Sequence, residues 1–206
     1  MKVLLINGSP NKEGCTYTAL CEVAGELEKN GVTTEIFHIG TKPVRGCTAC
    51  EDCEKTGKCI LDDDICNEMA GKIRDSDGLI VGTPVYYAGP NGALCALLDR
   101  AFYSNRGRLK HKPAACVISL RRGGASAAFD RLNKYFTIAQ MPVVSSQYWN
   151  SVHGQSPDEV RRDHEGLQVM RILGSNMAWL LKNIGGAPPP PDQGTRIYTS
   201  FADGKN

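Results

Sequence analysis

The period of apolar positions changes repeatedly along this chain, marking out alternating strands and helices. Residues 3–6, Val-Leu-Leu-Ile, are a continuous apolar run of strand length. Such a run predicts a strand buried on both faces, as in a parallel sheet covered by helices. Leu20, Val23, Ala24 and Leu27 then fall at helical spacing and Asn30-Gly31 supplies a stop, so a first helix is expected over residues 16–29. Residues 33–39 alternate and carry Ile36, Phe37 and Ile39, which suits a second strand. Periodicity is lost over residues 40–62 and returns as a helix over 63–73, followed by a third buried strand over 78–83. After a loop at 84–90, Leu94, Leu97, Leu98 and Phe102 form the apolar stripe of another helix. A fourth strand is expected over 114–119, a helix over 126–140 and a fifth strand over 142–148. Ser156, Pro157 and Glu159 match the N-cap, first and third positions of a long last helix running to about residue 182. From Gly185 onward four consecutive prolines exclude helix and central strand, and the tail is expected to lie over the surface or a neighbouring subunit.

Strands alternating with helices in this way predict an α/β fold, a doubly wound five-stranded parallel sheet in three α/β/α layers. There is no internal repeat and no composition shift that marks a boundary, so residues 1–206 read as a single domain. In doubly wound sheets ligands sit outside the carboxyl ends of the strands, and here irregular loops follow strands one, three and four. The first, from Gly8 to Thr16, offers backbone N–H groups, the hydroxyls of Ser9 and Thr16 and the positive end of a helix dipole to one anion. Ser9, Asn11, Gly14, Cys15 and Thr16 are its candidate contacts. Its spacing fits neither the ATP-type loop nor the dinucleotide fingerprint, and no Lys-Ser or Lys-Thr pair closes it. The second loop, Thr83, Pro84, Val85, Tyr86, Tyr87 and Gly89, is apolar and aromatic and suits a flat ring. The third, Ser119 with Arg122, Gly123 and Gly124, lets backbone approach a ring edge. A phosphate at one end and a planar group at the other describe a mononucleotide such as FMN. The bland alternative is three ordinary strand-to-helix turns.

Composition narrows the classes. A 206-residue chain with 41% hydrophobic and 22% charged residues is globular, and a net charge of +2 is too small to indicate nucleic acid or an acidic membrane surface. No run reaches the length of a membrane span, and a core strand begins at residue 2 with no room before it for a signal peptide, so a cytoplasmic protein is expected. No Ser-His-Asp set, paired carboxylates or His-rich cluster stands out, which removes support for hydrolysis. In a reducing compartment, nine cysteines read as ligands or redox groups rather than as structural disulfides.

Four of them, Cys47, Cys50, Cys53 and Cys59, form a compact C-x2-C-x2-C-x5-C run in the aperiodic segment. This is the spacing of a [4Fe-4S] site rather than of a zinc finger, although a thiol or disulfide role, zinc, or relic cysteines are alternatives. The residues between them include no bulky apolar lid, so a cluster here would need a neighbouring subunit to shield it. Cys21, Cys95 and Cys116 fall within helix or strand patterns and are expected to be small core residues.

Gly8-Ser-Pro with Gly14 and Thr16, then Thr83-Pro-Val-Tyr-Tyr, then Arg122-Gly-Gly resembles the flavodoxin-like NAD(P)H-dependent FMN reductase family. The four-cysteine run resembles the iron-sulfur flavoproteins within it, and Gln147-Tyr-Trp-Asn-Ser-Val-His-Gly154 is similar to related reductases. Cys15 departs from the family pattern, which often has Asn before the Thr. The resemblance implies FMN held by the three loops and a homodimer or a dimer of dimers. It also implies electron transfer between NAD(P)H or a protein donor and a quinone, a nitro or azo aromatic, or a protein acceptor. Two other classes stay open at this point: a non-enzymatic electron carrier, and a cysteine-based redox sensor.

Overall fold

The computed structural model describes residues 1–188, 190 and 193–195. Its strands are β1 (Lys2–Asn7), β2 (Thr33–His38), β3 (Gly78–Tyr86), β4 (Gly89–Pro90), β5 (Ala114–Leu120) and β6 (Ser151–His153). The helices are α1 (Cys15–Lys29), α2 (Asp52–Thr56), α3 (Cys66–Asp75), α4 (Gly92–Ser104), α5 (Ala125–Ile138), α6 (Pro157–Arg162) and α7 (His164–Ile184). The sheet order is β2-β1-β3-β5-β6, all parallel, and the short β4 folds back antiparallel on β3. Alternate side chains of β1 explain why its sequence shows no alternation. Leu4 and Ile6 enter a core with α3, α4 and α5, while Val3 and Leu5 enter a second core with α1 and α7. All four are fully buried, so either face would reject a polar residue. This is the expected three-layer doubly wound fold.

Three elements differ from the sequence expectation. The fifth strand is not residues 142–148. Val144 N–H donates to the Ala114 carbonyl at 2.8 Å and Val143 bridges Ala114, after which the chain leaves the sheet and re-enters only at Ser151. The polar run Ser145-Ser146-Gln147 has better partners elsewhere: Ser146 Oγ donates to the Val169 carbonyl at 2.7 Å. The last helix is two. Asp163 ends α6 and caps α7 through Oδ1 to Gly166 N–H at 3.0 Å, while its Oδ2 accepts His153 N–H at 2.7 Å. The N-cap expected of Ser156 is present, accepting from Glu159 N–H at 3.3 Å. Finally, β3 runs on through Pro84 to Tyr86 where a loop was expected. Cys116 is a core residue as expected, but Cys95 is half-buried and Cys21 is exposed on the outer side of α1. The Pro-rich tail expectation lies largely outside the described residues.

Candidate functional site

The first loop is built by the residue that ends β1. Asn7 is fully buried; its Oδ1 accepts Ser9 N–H at 3.1 Å and its Nδ2 donates to the Lys12 carbonyl at 3.0 Å. One amide therefore closes the loop on itself. Ser9 Oγ accepts Asn11 N–H at 3.1 Å, His38 Nε2 lies 2.9 Å from the Ser9 carbonyl oxygen, and Gly8 N–H donates to the Gly82 carbonyl at 2.8 Å. A Cβ on Gly8 would stand 2.5 Å from Leu94 Cδ2 and 2.6 Å from the Gly82 oxygen, so only glycine lets the two strand ends approach. Helix α1 then starts with Gly14 as its N-cap residue. No side chain caps it and its first turn contains no acidic residue. Its leading N–H groups and dipole end are left for an anion, which is the donor set a phosphate needs.

Thr16 Oγ1 and Ser119 Oγ are 2.7 Å apart and both residues are buried, tying the start of α1 to the end of β5. Cys15 Sγ donates to the Gly154 carbonyl at 3.7 Å, and Gly154 N–H donates to the Leu120 carbonyl at 2.9 Å. Burial raises the Cys15 thiol above its ordinary pKa, keeping it neutral beside the helix end. The loop after β6 thus joins the rim.

The second loop is a hairpin. Val85 pairs with Pro90 and Tyr86 with Gly89, and the two connecting residues, Tyr87 (φ 49°) and Ala88 (φ 60°), both take left-handed backbone. Turns of this kind ordinarily use Asn-Gly, so a tyrosine and an alanine here are held under strain by the hairpin around them. Neither ring is a core residue: Tyr86 is half-exposed and Tyr87 fully exposed. Thr83 is fully buried; its hydroxyl accepts Asn91 N–H at 3.0 Å and donates to the Pro84 carbonyl at 2.9 Å, so it serves the hairpin and leaves only its backbone to a ligand. In the third loop Arg121, Arg122 and Gly123 are exposed. Gly124 (φ 95°) lies directly against the hairpin, where an added Cβ would be 2.8 Å from Ala88 Cα and 2.9 Å from Val85 Cγ1. The first loop thus reaches the end of β3 through Gly8 and the end of β5 through Thr16, and the third loop packs against the hairpin through Gly124.

The cysteine segment lies over α4. Ala49 (φ 53°), Glu51 (φ 62°) and Gly57 (φ 70°) reverse the chain between the thiols, and α2 forms a single turn within it. Cys47, Cys50, Cys53 and Cys59 line one cavity of about 450 Å³, closed on the other side by Asp99, Arg100, Tyr103 and Arg106. All nine cysteines are free thiols. Burial pushes the Cys53 thiol up, and the nearby sulfurs of Cys59, Cys47 and Cys50 push it further. Among the described residues no three His, Cys, Asp or Glu side chains come together as a site for one metal ion. What the cavity offers is four thiols around a shared volume with a cation in its wall.

That cation was not singled out in the sequence. Arg100 is 1% exposed and reaches four partners: Nε to Cys59 Sγ at 3.2 Å, Nη1 to the Arg45 carbonyl at 3.1 Å and to the Asp64 carboxylate, and Nη2 to the Leu61 carbonyl at 2.5 Å. A signal existed. Arg100 sits three residues after Leu97, on the apolar stripe of α4, where an unpaired charge would be costly, and Asp62-Asp63-Asp64 follows the cysteines. His153, by contrast, borders a small cavity of about 80 Å³ with Tyr148 and Trp149.

The parallel strand order and flanking helices define a flavodoxin-like α/β protein, with a glycine-rich loop and an uncapped helix start at the end of β1 and a cysteine-lined cavity beyond β2. The chain belongs to the NADPH-dependent FMN reductase family, whose profile matches residues 1–156. It is 32% identical over 192 residues to an iron-sulfur flavoprotein of Methanocaldococcus jannaschii, covering 89% of this chain and 99% of that one. It is 35% identical over 191 residues to the iron-sulfur flavoprotein of Methanosarcina thermophila, covering 89% and 97%. Among solved structures, RosB with a bound 8-demethyl-8-formylriboflavin-5'-phosphate intermediate superposes with a TM-score of 0.73 at 16% identity, covering 98% of this chain and 92% of that one. No described helix is long and apolar enough to cross a membrane.

Proposed function

We propose that the protein is a cytoplasmic FMN-dependent oxidoreductase. It would take electrons from NAD(P)H or a protein donor and pass them to a quinone, a nitro or azo aromatic, or a protein acceptor. The observation that carries this reading is the uncapped start of α1, tied through Thr16 to Ser119 at the end of β5, with Gly124 after β5 packed against the hairpin at Val85 and Ala88. Backbone N–H groups of the first loop and of residues 15–16, with the Ser9 hydroxyl, would hold the phosphate; Tyr86, Tyr87 and the backbone of residues 122–124 would border the ring. Cys47, Cys50, Cys53 and Cys59 would hold a [4Fe-4S] cluster. When bound, FMN supplies both one- and two-electron chemistry, and the cluster supplies one-electron chemistry. The chain's own part is to orient, shield and tune them, which accounts for the shortage of acid-base groups around the loops. A homodimer or homotetramer would cover the exposed Tyr86, Tyr87, Tyr148 and Trp149.

The test is anaerobic purification followed by the visible spectrum, flavin, iron and sulfide analysis, and steady-state NAD(P)H oxidation with menadione. Stoichiometric FMN with turnover is the expected result. Absence of FMN after reconstitution would sink the enzyme reading, flavin without iron would sink the cluster, and flavin without turnover would leave an electron carrier.

A further inference from the structure

We infer that Arg100 is the positioning residue of the cysteine cavity, acting on Cys59 and on both ends of the segment that carries the four thiols. This rests on the cluster reading only for its electronic half. The geometric half stands on the contacts alone. One guanidinium accepts no alternative conformation without losing partners: it holds the Arg45 carbonyl two residues before Cys47 and the Leu61 carbonyl two residues after Cys59. It also pairs with Asp64, whose Oδ1 accepts Cys66 N–H at 2.9 Å and starts α3. Both side chains are buried, 0% and 5% exposed. Most of the segment's side chains are exposed and its apolar contribution to the core is small. Its other polar ties include the Asn67 side chain, which accepts Cys59 N–H and donates to the Cys59 carbonyl, both at 2.9 Å, and the exposed Arg45–Asp63 and Glu54–Arg106 pairs, but Arg100 alone ties both ends to α4. A planar fork with five donors does what a lysine could not, bridging two carbonyls, a carboxylate and a sulfur from one place on a rigid helix.

The electronic half follows from Nε–H on Cys59 Sγ at 3.2 Å. A hydrogen bond and a buried positive charge at a ligand sulfur stabilise the more negative, reduced state of whatever the thiolates hold, and so raise its reduction potential. Arg100 thus couples holding the loop in place with tuning the group bound there.

The test uses full-length, anaerobically purified protein and compares wild type with Asp64→Asn, Arg100→Met/Asp64→Asn and Arg100→Lys. The double variant removes the buried pair as a unit, which folded proteins tolerate better than breaking it; Arg100→Lys keeps a charge and covers the case in which the double variant does not fold. Flavin content and far-ultraviolet circular dichroism report folding. Hydrogen-deuterium exchange over residues 46–61 should be at least tenfold faster in the double variant than in Asp64→Asn, with Arg100→Lys in between. If iron and sulfide are present, redox titration should show at least a tenfold shift of the reduction equilibrium toward the oxidised form, about 59 mV for a one-electron couple. If the wild type carries no iron and sulfide, the cluster reading fails and the exchange result alone decides on Arg100. Equal exchange in all four proteins overturns the inference; altered exchange with an unchanged potential overturns its electronic half.

Discussion

The glycine-rich loop after β1 and the cysteine loop after β2 leave neighbouring strand ends, yet they are held in opposite ways. The first is short and tied by neutral groups: the Asn7 amide, the Gly8 to Gly82 backbone bond, and the Thr16 and Ser119 hydroxyls. Its tolerance is set by van der Waals contact, because a single methyl on Gly8 meets a backbone oxygen. The second is long and largely exposed, and its chief anchor is one buried ion pair under it, beside the Asn67 amide that holds Cys59. The difference teaches that a short backbone loop and a long loop carrying four thiols need different anchors. One must resist deformation, and the other must keep several thiols facing one volume.

Removing the charge anchor should have the largest effect. Asp64→Ala leaves the Arg100 guanidinium buried without its carboxylate, a loss of about 3–5 kcal/mol for breaking a buried pair, read by denaturant unfolding. The same pair makes the loop acid-sensitive. Burial alone would raise the Asp64 carboxyl, but Arg100 and the N–H groups of Cys66 and Arg45 outweigh it and hold it below its ordinary value. A folded pKa below the unfolded one means the contribution is present above the unfolded value, roughly 4, and is lost as pH falls through the folded one. Thermal melts between neutral and acid pH should therefore converge for wild type and Asp64→Asn at the acid end. Parallel curves would show that the pair does not titrate with folding.

Gly8→Ala tests the opposite anchor. Overpacking against Leu94 and the Gly82 oxygen should cost about 1–3 kcal/mol and lower FMN occupancy, measured by melting temperature and flavin content. A variant with full flavin would show the cradle to be softer than its contacts imply. Smaller still is Thr16→Val. It leaves the buried Ser119 hydroxyl without its partner and should weaken FMN binding about tenfold, near 1.4 kcal/mol, by fluorescence titration; unchanged affinity would remove Thr16 from the site. Smallest is Glu54→Ala. Its pair with Arg106 joins α2 to the end of α4, but both side chains are about half-exposed, so stability should change by less than about 1 kcal/mol. A larger loss would mean that the cysteine loop depends on surface charge as well as on Arg100.

Much of the scaffold was legible because burial on both faces leaves an unmistakable mark: residues 3–6, 79–81 and 114–118 are apolar throughout, and all lie in central strands. The strand after α5 was misplaced because the apolar run at 142–144 pairs with β5 for only a bridge, while the paired segment, Ser151–His153, carries one buried residue. Asp163 was unreadable as a helix break because its carboxylate satisfies His153, ten residues earlier, as well as Gly166. The first and third loops were read from composition, but that the Thr83 hydroxyl is engaged by its own hairpin depends on Asn91 lying across from it.

The sequence alone determined the layer order, the loops at the strand ends and the grouping of four cysteines, since each follows from local periodicity or spacing. Tertiary structure alone decided that Gly124 abuts Ala88, that Thr16 meets Ser119, and that an arginine on an apolar helix face lies under Cys59. Those contacts join residues far apart in the chain, and a charge reads as an error in a hydrophobic pattern until its distant partners are seen around it.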